Sequence, residues 1–191
     1  MNKEEAIERL EDRTLPLEEV RALFHAFRDD MQVVGQVAMN LSLRTSVYEP
    51  EKSAHPIMTE LLVELAEVDD MGSRWAVAKN PHTPVEVLTK LAKDEVNLVR
   101  ALVATNPNTP PSVLQGLFSD EKIVRDGLSG NPNTPVKILK TLADDSDKMV
   151  RMRVAENPAT PVELLERLMK DADPNVAKAA EVNRAKRKEE A

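Results

Sequence analysis

Five residues, Asn-Pro-x-Thr-Pro, occur four times without error and narrow what this chain can fold into more than any other feature. The copies are Asn80-Pro81-His82-Thr83-Pro84, Asn106-Pro107-Asn108-Thr109-Pro110, Asn131-Pro132-Asn133-Thr134-Pro135 and Asn157-Pro158-Ala159-Thr160-Pro161. Eight of the 13 prolines lie in them. An arginine stands six residues before each Asn, at Arg74, Arg100, Arg125 and Arg151, with spacings of 26, 25 and 26. A fixed period of this length marks a repeat architecture, in which a unit too small to bury its own core stacks on its neighbours.

Each part of the unit has a local reading. Thr followed by Pro predicts a helix start, with Thr as the N-cap and Pro at the first helical position, where no amide hydrogen is needed. Glu86 and Glu163 stand where they would complete a capping box with Thr83 and Thr160. The first helix, of about ten residues, carries an apolar face. That face is Val87, Leu88 and Leu91, then Val113, Leu114 and Leu117, then Ile138, Leu139 and Leu142, then Leu164, Leu165 and Leu168. An acidic turn follows at Asp94, Asp120, Asp144-Asp145 and Asp171. The second helix is marked by Leu98, Val99, Leu102 and Val103, and by Ile123, Val124, Gly127 and Leu128 in the next unit. Met149, Val150, Arg153 and Val154 mark it in the one after. Small residues Ala78, Ala104, Ser129 and Ala155 allow close approach. Asn before Pro disfavours the α conformation, so the second helix stops there. The fold class expected is all-α, a solenoid of two-helix repeats 25 or 26 residues long.

Val-Arg-x-x-Val-Ala-x-Asn-Pro-x-Thr-Pro followed by Leu-x-x-Leu and Asp resembles the leucine-rich repeat variant family. Residues 99–120 carry it as Val99-Arg100, Val103-Ala104, Asn106-Pro107, Thr109-Pro110, Leu114, Leu117 and Asp120, with Phe118 in place of a small residue. The resemblance covers roughly residues 74–176 and implies a right-handed superhelix of paired short helices, one α and one sometimes closer to 3₁₀. Some members of that family add a cysteine cluster holding an iron–sulfur centre. This chain has no cysteine, so that cofactor does not carry over and no cofactor is expected.

The pattern decays at both ends. Val37-Ala38-Met39-Asn40 matches Val77-Ala78-Lys79-Asn80, but the two Asn are 40 residues apart. The excess is placed in the polar stretch Leu41–His55. Leu62, Leu65 and Ala66 fall 26 residues before Leu88, Leu91 and Ala92, and Pro16, Val20 and Leu23 resemble a worn first helix. Residues 1–73 therefore read as an acidic N-terminal helical cap with degenerate repeats and an insertion loop at 41–55. Residues 74–176 are four repeats, and 177–191 are a C-terminal cap with a charged, frayed tail from Arg184.

Composition bears on function mainly by exclusion. The absence of cysteine removes disulfides, thiolate zinc sites and cysteine nucleophiles. No run of about 18 apolar residues offers a membrane span, and the acidic N-terminus lacks a signal-peptide core, so a cytoplasmic location is expected. Residues 1–73 hold 7 basic and 16 acidic side chains, a net of −9, while 74–191 carry a net of +2. That balance disfavours general nucleic-acid binding.

His25, His55 and His82 never share a helix-face spacing, so metal or general-base work is not expected of them. Asp171-Ala172-Asp173-Pro174-Asn175 imitates the start of a calcium loop but has Val176 for Gly and Val182 for Glu, and is rejected. No phosphate-cradling glycine loop or nucleophile elbow is present. No active site emerges, and the chain is read as non-catalytic.

The leading expectation is a scaffold for an unknown protein partner. Trp75, Lys79, Leu102, Met152 and Arg153 occupy variable positions on one face and would supply specificity; a part-exposed Trp is a hot-spot candidate. The alternative is a nucleic-acid or phosphate binder using the Arg ladder. The structural reading of that ladder is preferred, because the acidic turn recurs in phase with each Arg. The Asn ladder is expected to satisfy backbone groups where the second helix ends. Gly127 and Gly130 mark either close backbone approach, a bend or simple erosion.

Overall fold

A helix can start only where the chain frees itself from the preceding segment, and here proline sets that point. In the computed structural model, which describes residues 1–44, 55–118 and 121–189, the first helix of each repeat begins one residue after the second proline of the motif. Pro84 has φ −59° and ψ 149°, and its carbonyl accepts from the Leu88 amide at 3.0 Å. The proline itself is thus the N-cap, and the same holds for Pro110, Pro135 and Pro161. At the other end Asn80, Asn106, Asn131 and Asn157 close the second helices with extended backbone, as a residue before proline must.

Among the described residues thirteen helices form, all of them α, and there is no strand. They are α1 (Lys3–Glu11), α2 (Leu17–Ala26), α3 (Met31–Arg44), α4 (Pro56–Leu65), α5 (Met71–Lys79), α6 (Val85–Leu91) and α7 (Asn97–Thr105). They continue as α8 (Pro111–Gly116), α9 (Lys122–Gly130), α10 (Val136–Leu142), α11 (Lys148–Glu156), α12 (Val162–Leu168) and α13 (Pro174–Glu189). No helix is long and apolar enough to cross a membrane. The contacts divide the chain into two compact units, Met1–Asn108 and Thr109–Ala191.

In the first unit α1, α3, α5 and α7 pack in series, with α2 against α3 and α4, α4 against α5, and α6 against α5 and α7. In the second unit α9, α11 and α13 pack in series, with α10 against α9 and α11, and α12 against α11 and α13. The core is the leucine face expected of the first helices: Leu88, Leu91, Leu114, Leu117, Leu139, Leu142, Leu165 and Leu168 are buried. Of the second-helix markers only part is core. Val99, Val103, Val124, Leu128, Val150 and Val154 are buried, whereas Leu98, Ile123 and Met149 are exposed. A helix packed on both flanks by its counterparts buries its i, i+4 pair, and the residue just before that pair points to solvent.

Three expectations change. Leu41–Arg44 belongs to α3, with Leu41 buried; of the insertion placed at 41–55, residues 45–54 lie outside the described part. Asn40 itself does not end the helix, because Leu41 stands where the repeats have proline. Of the tail expected to fray from Arg184, the residues through Glu189 are instead the last turns of α13, and 190–191 lie outside the described part. Thr83, Thr134 and Thr160 are not N-caps and make no capping box with Glu86 or Glu163.

Candidate functional site

The repeated polar side chains face inward. The Thr83 hydroxyl donates back to the Val77 carbonyl at 2.6 Å, Thr134 to Leu128 at 2.7 Å and Thr160 to Val154 at 2.6 Å. Each adds a second donor to a carbonyl in the last turn of the preceding helix, which also accepts the amide of the Asn that closes that helix. The asparagines bridge units. Asn106 Nδ2 donates to the carbonyls of Ala78 and Asn80 at 2.8 and 2.9 Å, while its Oδ1 accepts from the Asn108 amide at 2.9 Å. Asn157 repeats this on Ser129, Asn131 and Ala159.

The same device recurs where no proline follows. Asn40 Nδ2 donates to the carbonyls of Leu10 and Asp12, and Asn183 Nδ2 to those of Ala155 and Asn157. In both places an arginine four residues on takes over the missing turn. Arg44 Nε donates to Asn40 Oδ1 at 2.7 Å and its Nη2 reaches the Leu15 carbonyl; Arg187 does likewise to Asn183 and Thr160. Asp12-Arg13-Thr14-Leu15-Pro16 is thereby a fifth, worn copy of the motif, with Leu15 in the Thr position. The sequence signal for it is Asn-x-x-x-Arg, present at both sites.

Asn80 is the exception. It is 2% exposed, its Oδ1 accepts from the His82 amide at 2.9 Å, and its Nδ2 has no partner. Its acceptors would be the carbonyls of Ala38 and Asn40, by analogy with Asn106. These lie inside α3, where the continuing helix takes them up.

Each arginine of the ladder has internal acceptors. Arg74, Arg125 and Arg151 donate through Nε to Asp94, Asp145 and Asp171, at 2.7, 2.8 and 2.8 Å, always 20 residues downstream. Arg151 Nη1 also reaches the Asp145 carbonyl at 2.9 Å, and Arg100 Nη1 the Asp94 carbonyl at 2.7 Å. Each aspartate accepts in turn from the backbone amide two residues on. The bond from Arg151 holds the Asp171 carboxyl below the usual carboxylate range. Burial pushes that of Asp145 the other way, but bonds from Arg125 and the Asp147 amide outweigh it and leave it lowered too. The acidic pair imitating a calcium loop is committed elsewhere: Asp171 to Arg151, and Asp173 to Lys148 at 3.1 Å and to the Asn175 amide.

The variable residues lie in both units. In the first, Trp75 on α5 is half-buried with Lys79 Nζ 5.0 Å from its ring centre, and Leu102 on α7 is half-buried. In the second, Arg153 on α11 pairs with Asp126 at 3.0 Å, and Met152 lines a groove of about 730 Å³ with Glu156, Lys178 and Val182. Gly130 is not forced by crowding, since a Cβ there would meet only Arg153 Nη1 at an ordinary 3.7 Å.

Two features escaped the sequence reading. Met31, Met39 and Leu43 on α3 and Met71 on α5 are 46–50% exposed and extend the surface around Trp75. On α2 and α4, His25, Glu60 and Glu64 bring ligand-type atoms within 4.8 Å of one another, with His25 Nε2 3.0 Å from Glu64. Arg21 and Arg28 already pair with those two carboxylates, at 2.9 and 3.3 Å, so a cation would have to displace both.

No protein-family model matches the chain, and no curated protein matches it. Among solved structures it is similar to one described as a leucine-rich repeat variant with a novel repetitive protein structural motif. The two are 23% identical, the match covers 93% of this chain and 80% of the other, and the TM-score is 0.45.

Proposed function

We propose that this chain is a non-catalytic scaffold, a right-handed superhelical solenoid of 25- or 26-residue two-helix repeats that binds a protein partner through the exposed face of its second helices. The observation that carries this is the contrast between its two kinds of side chain. The polar residues repeated in every unit are engaged with backbone and with one another. Of the large apolar residues that face solvent in the first unit, Met1, Val63, Val85 and Leu98 are spread over separate elements. Met31, Met39 and Leu43 on α3 and Met71 on α5, in contrast, lie on the helix that carries the chain's single Trp and on the helix packed against it. Exposed apolar patches of this kind mark interaction sites.

The test is affinity capture from the native host by the wild-type chain and by a Met39→Ser/Trp75→Ala variant with an unchanged helical spectrum. A partner retained by the first and lost by the second supports the reading; retention by both removes this face from it. The alternative, a phosphate track on the Arg ladder, is weaker because those guanidiniums already have acceptors. DNA and RNA titrations at two salt concentrations separate the two, since phosphate contacts impose a salt slope.

A further inference from the structure

We propose that the surface formed by α1, α3 and α5 takes an amphipathic helix with a basic flank; this rests on the interaction reading above. The Asn40 bonds to Leu10 and Asp12 fix how α3 lies along α1. They set Asp12 level with Asn40, and so Ile7 level with Gly35 and Glu11 level with Met39. The asparagine of α5 that corresponds to Asn40 is Asn80, whose amide finds no acceptor in α3. The match of Val37-Ala38-Met39-Asn40 with Val77-Ala78-Lys79-Asn80, on two helices packed together, places Met71 beside Met31, Trp75 beside Gly35 and Lys79 beside Met39. One continuous face results. On α3 it is a stripe of Met31, Gly35, Met39 and Leu43, each four residues from the last and so on one side of the helix. On one flank are Met71 and Trp75.

Gly35 makes the stripe a receptacle rather than a ridge. A Cβ built there meets nothing within 4 Å, so a notch opens between two methionines next to Trp75. Methionines adapt to an apolar partner's shape, and a neighbouring Trp supplies a rigid anchor. From Met31 to Leu43 the stripe runs about 18 Å, room for roughly three helical turns with anchors at i, i+4 and i+7. A helical ligand suits this surface better than an extended one. Helix flanks offer no free backbone donors or acceptors for a strand to pair with, whereas a helix satisfies its own.

The other flank sets the charge. Glu4, Glu8 and Glu11 on α1 are exposed and make no ion pair among the described residues. Lys3 is neutralised by Asp30 at 3.0 Å and Lys79 lies over the Trp75 ring. Residues 1–73 as a whole carry a net −9. An apolar stripe beside an acidic rail is complementary to a helix with apolar and Lys/Arg-rich faces, and it repels an anionic bilayer.

Trp75, the only tryptophan, reports binding directly. The full chain is titrated with an aromatic-free Leu/Lys amphipathic peptide of about 18 residues, with its Leu/Glu counterpart, and with anionic vesicles. The expected result is a saturable blue shift with Leu/Lys, at least about tenfold tighter than with Leu/Glu and weakened by salt. Gly35→Leu fills the notch while improving helix propensity, so it folds, and it should weaken binding about tenfold. Glu4→Gln/Glu8→Gln/Glu11→Gln should weaken it and flatten the salt dependence, while Glu163→Gln/Glu166→Gln, in the other unit, should do neither.

Leu/Glu binding as tight as Leu/Lys and still sensitive to Gly35→Leu overturns the basic partner and leaves the interaction face standing. Peptide binding insensitive to every α1 and α3 substitution overturns the site itself. A blue shift that grows with protein concentration alone, with dimers in sedimentation, assigns the face to a second copy of the chain. A shift with vesicles but neither peptide assigns it to lipid. Either of these two results overturns the proposal.

Discussion

Replacing Asn106 by alanine and, separately, Asn80 by alanine removes the same side chain from two rungs of one ladder, both in the first compact unit. The structure predicts unequal damage. Asn106 makes three bonds that alanine loses, two donated to Ala78 and Asn80 and one accepted from Asn108. At about 1 kcal/mol net for each buried bond, Asn106→Ala should cost about 3 kcal/mol, and more if the two carbonyls stay dry. Asn80 makes one, from His82, and its amide nitrogen is a buried donor without an acceptor. Asn80→Ala gives up about 1 kcal/mol and removes an unsatisfied group that opposes folding, so its cost should be about 1 kcal/mol or less. Urea denaturation followed by circular dichroism reads the difference. With a slope of about 2 kcal/mol/M, the midpoints should separate by about 1 M, Asn106→Ala being the lower. Midpoints that fall together, or a larger drop for Asn80→Ala, would refute the claim that the unbroken α3 withholds its carbonyls from Asn80.

Three further outcomes follow from the same geometry. Thr160→Ser should be mild, whereas Thr160→Asp, which would serve well as an N-cap, should destabilise strongly because it puts a carboxylate against the Val154 carbonyl; equal stability of the two in thermal melts would restore the N-cap reading. The Asp171 carboxyl is held below its unfolded value near pH 4 by Arg151, so its stabilisation is present above about pH 4 and disappears as pH falls through the folded value. Asp171→Asn should therefore narrow its stability gap from wild type on acid titration, and a gap constant down to pH 2 would sink the assignment. Arg100→Ala should lower the melting temperature and leave any DNA or RNA binding and its salt slope unchanged, as filter binding at two salt concentrations would show.

Proline made most of this fold legible in advance. Because proline fixes φ and bars the preceding residue from the α region, every Asn-Pro predicted a helix end and every Thr-Pro a helix start, and the observed helices follow within one residue. The Thr was misread for the same reason. Proline at φ near −60° fits both the first helical residue and an extended N-cap, and only ψ, 149° at Pro84, tells them apart. The direction of the Thr hydroxyl depends on that angle, and so does the choice between a cap for its own helix and a cover for the last one.

Where proline is missing, the reading stopped short and the surface became distinctive. Asn40 was matched with Asn80 and the excess of the offset placed in Leu41–His55, but the match was not carried back along the helix to Met31 and Gly35. Once Asn40 and Asn80 are set level, Met31 falls beside Met71 and the empty position at Gly35 falls beside Trp75. The His25–Glu60–Glu64 group was missed in a similar way, because histidines were compared only with histidines along the chain and not across the packed pair α2 and α4. Leu41 in place of proline lets α3 run four residues past Asn40. That extension requires Arg44 to do the work of a turn, strands the Asn80 amide, and carries Leu43 out to lengthen the apolar stripe. One absent proline thus accounts for both the flaw in the ladder and the reach of the face beside it. A Leu43→Gln chain should accordingly keep the stability of the wild type, since Leu43 is half exposed and makes none of the ladder contacts, which fall to Asn40 and Arg44 on either side of it, and any loss should fall on binding alone.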